Sequence, residues 1–183
     1  MSPTTLLHQH SFKVASFIFA MGLSQFAHAQ YVVPTSEYPT IESAIEKASN
    51  GSQIFIKAGL HTPGVTLDAE GKNIHFLGET DLFGNPLTII SGSNVRRIMN
   101  CKSGESSQTI YQNLSFEDGQ DQNAGALYIV NANPMILNCA FINNSSGYLA
   151  GAMYTGAGVD ITVDSCLFMG NYSGGGGGVM NRE

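Results

Sequence analysis

Three segments in the last third of the chain resemble one another closely enough to dictate how it folds. Each ends in phenylalanine: Tyr111 to Phe116, Ile136 to Phe141 and Val163 to Phe168. Nine or ten residues later each reaches a small-residue step, at Gly125-Ala126, Gly151-Ala152 and Gly177-Gly178. The glycines recur every 26 residues and the phenylalanines after 25 and 27, so two independent markers keep one period. Such a period, with strand-like alternation inside it, belongs to a solenoid whose coils rise by about 4.8 Å and whose equivalent residues stack in columns. The predicted fold is all-β, a right-handed single-stranded parallel β-helix.

The columns follow from the alignment. Tyr111, Ile136 and Val163 form one, Leu114, Cys139 and Cys166 a second, and Phe116, Phe141 and Phe168 a third, all expected to point inward. One residue separates the last two columns in each coil, as a period of two requires. Gly125, Gly151 and Gly177 are expected where the cross-section narrows and a larger side chain would strike the next coil. Asn144 and Asn171 fall three residues after their phenylalanines, placed to bond the turn backbone and each other, while Gly119 takes that place in the first coil.

The Phe-x-x-Asn spacing at Phe141 and Phe168, followed by the Gly-Ala step at Gly125 and Gly151, resembles the repeat of chlamydial polymorphic outer-membrane proteins. The resemblance covers about residues 109–181 and implies a surface β-helix. Members of that family carry many more repeats and a C-terminal membrane barrel, beyond the three repeats found in these 183 residues.

The N-terminal half is spaced differently. Ile41, Ala44, Ile45 and Ala48 share one face of a predicted helix over about residues 40–49, with Thr40 as its cap and Asn50-Gly51 as its stop. Strands are predicted at residues 53–56, 65–67, 73–77 and 87–90, separated by Gly59, Pro63-Gly64, Gly71 and Gly84-Asn85-Pro86. This phrase is similar to the opening of many secreted β-helix proteins, pectin-modifying enzymes among them, and the resemblance implies a helix plugging the first coil. An open solenoid end exposes core and strand edge, so a cap is needed on physical grounds as well.

Residues 1–29 read as a secretory leader. Lys13 precedes the apolar run Val14 to Leu23, and Ala27-His28-Ala29 is a small-x-small cleavage site, so cleavage is expected after Ala29. The organisation is then leader 1–29, cap 30–52 and β-helix 53–183, with regular repeats over about 109–183. No apolar run is long enough for a transmembrane helix. The sequence stops in mid-coil after the Gly174 to Gly178 run, and the expectation is a longer protein, or self-association, covering the open end. The expected site of action is outside the cell, free or on the outer surface.

The formal net charge is −6, and the only adjacent basic pair is Arg96-Arg97, which argues against a nucleic-acid face. Cys101, Cys139 and Cys166 lack zinc-site spacing; Cys139 and Cys166 share a column but aim the same way, so buried thiols are expected. Pectate-lyase-like chemistry needs carboxylates holding calcium against a uronate and a basic residue taking the proton. The catalytic candidates under that reading are Arg96, Arg97, Asp118 and Asp121, with Asp160 and Asp164 in later coils; the plainer reading makes the acids solvated turn residues. His61 and His75 form no triad, and Lys72 reads as a solvated turn residue. The Gly174 to Gly178 run has no following Lys-Ser or Lys-Thr, so it is no phosphate loop. No cofactor is expected, calcium arising only with the lyase.

The leading expectation is therefore a noncatalytic binding protein of adhesin type, recognising a polysaccharide, a cell-surface glycan or another copy of itself. The alternatives are a polysaccharide lyase and the structural stalk of a longer autotransporter.

Overall fold

The computed structural model describes residues 29–181. It is a parallel β-helix whose longest sheet holds six strands, with one short helix near its start. The first sheet stacks Gln30–Val33, Gln53–Ile56, His75–Gly78, Ile110–Gln112, Met135–Leu137 and Thr162–Asp164. The second stacks Gly59–His61, Thr88–Ser91, Leu114–Glu117, Ala140–Ile142 and Leu167–Met169. The third stacks Leu67–Asp68, Met99–Cys101, Leu127–Ile129, Ala150–Thr155 and Gly177–Asn181. A fourth, narrow sheet of Gln120–Asp121, Ser145–Ser146 and Tyr172–Ser173 fills the corner between second and third in the last three coils.

The predicted columns are the observed register. Phe116 pairs with Phe141 and Phe141 with Phe168, their rings stacked at 5.1 and 4.8 Å. Tyr111 pairs with Ile136 and Ile136 with Val163, and the same column runs upward through Phe76 to Ile54. These side chains fill the lumen, where Ile54, Phe76, Tyr111, Phe116, Ile136 and Phe141 are fully buried. Burying such aromatics and branched residues stabilises the stack by about 1.5–3 kcal/mol each.

Polar ladders fix the corners. The Asn144 amide donates to the carbonyl of Phe116 at 2.9 Å and to Asn171 Oδ1 at 3.0 Å, while its own Oδ1 accepts from Gly119 N–H at 2.8 Å. Asn171 repeats the pattern one coil on, donating to Phe141 O at 2.8 Å and accepting from Asn144 N–H at 2.9 Å. A Cβ on Gly119 would lie 2.8 Å from Asn144 Oδ1, which explains why the ladder ends there on glycine. Two further corner columns hold left-handed backbone: Asn113, Asn138 and Ser165 before the second sheet, and Asp118, Asn143 and Gly170 after it. Asn, Asp and Gly tolerate this conformation best.

Several expectations need correction. Gly125 and Gly151 do sit in tight places, where a Cβ would lie 2.5 Å from Gly151 O and 2.6 Å from Tyr172 O respectively. Gly177 does not: it pairs with Ala150, a register shift follows, and a Cβ there would meet nothing closer than 3.7 Å. In a run of glycines no side chain holds the register, so equal spacing in sequence did not become equal height. The stretch before the helix is not cap alone, since Gln30–Val33 is the first strand of the first sheet. The helix spans Ile41–Lys47 and is closed by a capping box between Thr40 and Ser43. It ends at Ala48, whose extended backbone stops it before Asn50-Gly51. Strands Gly59–His61 and Met99–Cys101 were not expected, being too short and mixed to show alternation. Lys72 is partly buried and donates to Ile45 O at 2.6 Å, tying the helix to the coil beneath it.

A hydrogen-bonded chain crosses the outer face of the first sheet. Gln30 donates to Gln53 at 3.0 Å, Gln53 to His75 Nδ1 at 3.1 Å, and His75 Nε2 to Gln112 at 3.0 Å, an assignment that requires neutral imidazole. Burial holds His75 below its ordinary value of 6.5, with the Gln112 bond opposing. The unfolded chain therefore binds the proton more readily, so this contribution is complete above about pH 6.5 and is lost as pH falls through the lower folded value. Thermal melts are expected to show a loss of stability as pH falls below about 6.5 that is smaller in His75→Gln. Asn144→Ala leaves Gly119 N–H without its acceptor and removes the second donor to Phe116 O, and is expected to lower stability by about 2 kcal/mol in urea denaturation.

Candidate binding surface

The fold brings Arg96, Arg97, Asp118 and Asp121 to one corner, between the second and third sheets, in neighbouring coils. Asn94 N–H donates to Asp118 O at 2.7 Å and Gln120 N–H to Arg96 O at 2.9 Å, which sets the two coils in register there. The side chains do not converge on open space. Arg97 Nε donates to Ala124 O at 3.0 Å, Nη1 to Asn100 Oδ1 at 2.9 Å, and Nη2 pairs with Asp121 Oδ1. Its guanidinium lies 4.6 Å from the centroid of the Tyr128 ring, whose other neighbour is the Tyr154 ring at 5.2 Å. Burial lowers Arg97 from its ordinary value, and the Asp121 charge opposes that shift. Arg96 is held by Nη1 on Pro63 O. Asp118 sits in the left-handed corner column, the place taken by Asn143 and Gly170 in later coils, so its residue type is explained by the turn.

Calcium requires about six to eight oxygen ligands. Among the described residues no three His, Cys, Asp or Glu side chains come together to hold a metal ion. With Asp121 committed to Arg97, the corner does not fit calcium. Asp160 and Asp164 are exposed and lie elsewhere, at the entry and exit of the last strand of the first sheet. His61 Nε2 bonds Lys57 O at 2.8 Å on the second sheet, a different face from His75, and the two do not share a site. A cleft of about 380 Å³ separates the helix from the first coil, lined by Pro34, Thr40, Ile41, Leu60, His61 and Pro63 among others.

A different surface stands out, and the motif reading passed over it. Asp81 Oδ1 accepts from Phe83 N–H and Asn85 N–H at 2.8 Å each, and Oδ2 accepts from the Asn85 amide at 2.8 Å. These bonds hold the Asp81 carboxyl below its ordinary value. Thr80 and Pro86 form an antiparallel bridge at the base of the turn, and Asn138, two coils on, donates to Gly84 O at 2.8 Å at its tip. The turn is thus ordered by its own polar groups, yet Leu82 and Phe83 on it are 101% and 91% exposed. It leads directly into Thr88–Ser91, so it borders the outer face of the second sheet. That face carries Leu60, Ile89, Ser115, Ala140 and Leu167 in one register column and Ser91, Glu117, Ile142 and Met169 in the next. Leu60, Leu87, Leu167 and Met169 are exposed, and the polar centre is a Ser115 hydroxyl donating to Glu117 at 2.6 Å. The signal in the sequence was Leu82-Phe83 enclosed by Asp81 and Asn85, which reads only as turn residues without the third dimension.

No protein-family model, curated protein or solved structure matches the chain. Among the described residues no helix is long and apolar enough to cross a membrane. The expected leader lies, up to residue 28, outside the described residues.

Arg97 faces Asp121 with side chains 13% and 36% exposed, so its loss is felt mainly as an unpaired, partly buried acid and a bare Tyr128 ring. Arg97→Lys keeps the charge but not the fork of donors, and is expected to cost about 2 kcal/mol in chemical denaturation.

Proposed function

We propose that this chain is an exported, noncatalytic binding protein that engages a glycan or cell-surface partner through the Leu82-Phe83 turn and the outer face of the second sheet. The observation that carries the reading is the apolar pair Leu82-Phe83 held in solvent by a turn closed through the Asp81 carboxylate. Exposing both side chains forgoes about 3–6 kcal/mol of burial, and an ordered turn gives up little further entropy when a partner covers them. Exposed apolar side chains on an ordered turn mark interaction sites. The leader ending at Ala29 supports action outside the cell. The resemblance of the repeat to chlamydial polymorphic outer-membrane proteins, and of the opening to secreted β-helix proteins, supports the same placement.

The folded chain beginning at Gln30 is expected to bind in a glycan-array or cell-adhesion assay. The double variant Leu82→Ser, Phe83→Ser is expected to lose that binding by tenfold or more with an unchanged melting temperature, a tenfold loss being about 1.4 kcal/mol. Blank arrays and blank cells for the parent chain, or full binding by the double variant, would overturn the reading.

The alternative raised by the sequence, a polysaccharide lyase, is disfavoured: Arg96, Arg97, Asp118 and Asp121 meet at one corner, but Arg97 and Asp121 satisfy each other and Arg96 is held on Pro63 O. It is distinguished by a calcium-dependent rise in unsaturated-uronate absorbance on polygalacturonate that Arg96→Ala or Asp118→Ala abolishes. Absence of that rise across a panel of uronate polymers removes it.

A further inference from the structure

Cys139 and Cys166 are successive members of one column. Ala140 pairs with Leu167, and Leu167 N–H donates to Cys139 O at 2.9 Å, so the two cysteines are one coil rise apart. That rise, about 4.8 Å, lies within the Cα separation a disulfide spans. Both sit at a corner rather than inside a strand, each directly after a left-handed residue, Asn138 and Ser165. The Cys139 N–H points at Cys166 Sγ at 3.4 Å.

The two sulfurs differ in what surrounds them. Cys139 is buried, its Sγ 3.4 Å from the carbonyls of Tyr111 and Leu137. Cys166 is partly open to solvent on the last described coil, its Sγ 3.3 Å from Asp164 O. A hydrogen bond from the Cys139 thiol, followed in weight by the Cys139 backbone N–H, pulls Cys166 below the ordinary thiol value against its partial burial. Burial pushes Cys139 well above that value. An accessible thiolate beside a protonated, shielded thiol is the arrangement in which one sulfur is oxidised and the other resolves it. Cys101, buried on the third sheet, has no cysteine neighbour among the described residues and serves as an internal control.

We infer that Cys166 is an oxidisable thiol and Cys139 its resolving partner, so that a peroxide converts the pair into a disulfide between neighbouring coils. The Cys166 thiolate attacks one peroxide oxygen, the O–O bond breaks, and the departing hydroxide takes a proton to become water, leaving a sulfenic acid on Cys166. The Cys139 sulfur then displaces the hydroxyl from that sulfur; the S–S bond forms, and the hydroxyl leaves with the Cys139 proton as a second water. Two thiols thereby give two electrons and two protons to one peroxide. The inference does not depend on the proposed binding surface, since no residue is shared.

The folded chain is treated with hydrogen peroxide, its free thiols are then blocked by alkylation, and it is digested for peptide mass mapping. The expected product is a peptide pair linked through Cys139 and Cys166, lighter by two hydrogens and separated by dithiothreitol, with Cys101 remaining alkylatable after unfolding. In Cys139→Ser the reaction is expected to stop at a Cys166 sulfenic acid that dimedone traps. Should that variant fail to fold, the parent chain oxidised in urea supplies the comparison, and there the preference for the Cys139–Cys166 pair over pairs with Cys101 is expected to vanish. Sulfinic or sulfonic acid on Cys166 without the linkage, or oxidation of Cys101 at an equal rate in the folded chain, would overturn the inference.

Discussion

The strands here complete their backbone hydrogen bonds through the coils above and below them. No strand has a partner within its own turn, so register between turns is the constraint on which all else rests. The lumen satisfies it with like on like: aromatic on aromatic from Phe76 to Tyr111, and phenylalanine on phenylalanine from Phe116 to Phe168. At the corners, where the backbone turns and leaves polar groups without strand partners, Asn144 and Asn171 provide the missing donors and acceptors. A slip of one residue would put phenylalanine in water and a buried amide against apolar walls, which is why so few distinct sequences per turn suffice to hold the stack.

The parts legible in the sequence were those where a side chain sets the register. Phe116, Phe141 and Phe168 were placed correctly because a bulky residue recurring beside a period of two has one physical explanation. Asn144 was placed for the same reason. Where side chains are small or the signal is carried by depth, the reading failed: Gly177 shifted by a residue, and Lys72 proved to reach the helix rather than solvent. The exposure of Leu82 and Phe83 was illegible because it is decided by what neighbouring coils cover, and the Asp81 to Asn85 turn is anchored at its tip by Asn138 far along the chain. The candidates Arg96, Arg97, Asp118 and Asp121 were gathered by the fold, but Arg97 and Asp121 satisfy each other, and residue type alone could not reveal that.

The outward positions divide into two kinds. On the first sheet Gln30, Gln53, His75 and Gln112 are tied into one polar chain, beside partly buried apolar Val32, Phe55, Leu77 and Leu137. On the second, exposed Leu60, Leu167 and Met169 lie at the two ends of a middle stretch in which Ser91, Ser115 and Ala140 are buried.

The spacing of the first sheet has one more consequence. Gln53 pairs with His75, His75 with Ile110, Ile110 with Met135 and Met135 with Thr162, steps of 22, 35, 25 and 27 residues between strands at the same height interval. The longest step absorbs its surplus in the Glu79 to Leu87 turn and in the residues after Cys101, without disturbing the ladder. Such a molecule counts heights rather than residues. Corners are therefore places where chain can be inserted or exchanged while the lumen stays as it is, so the outer surface is free to diverge on a separate course from what keeps the protein folded.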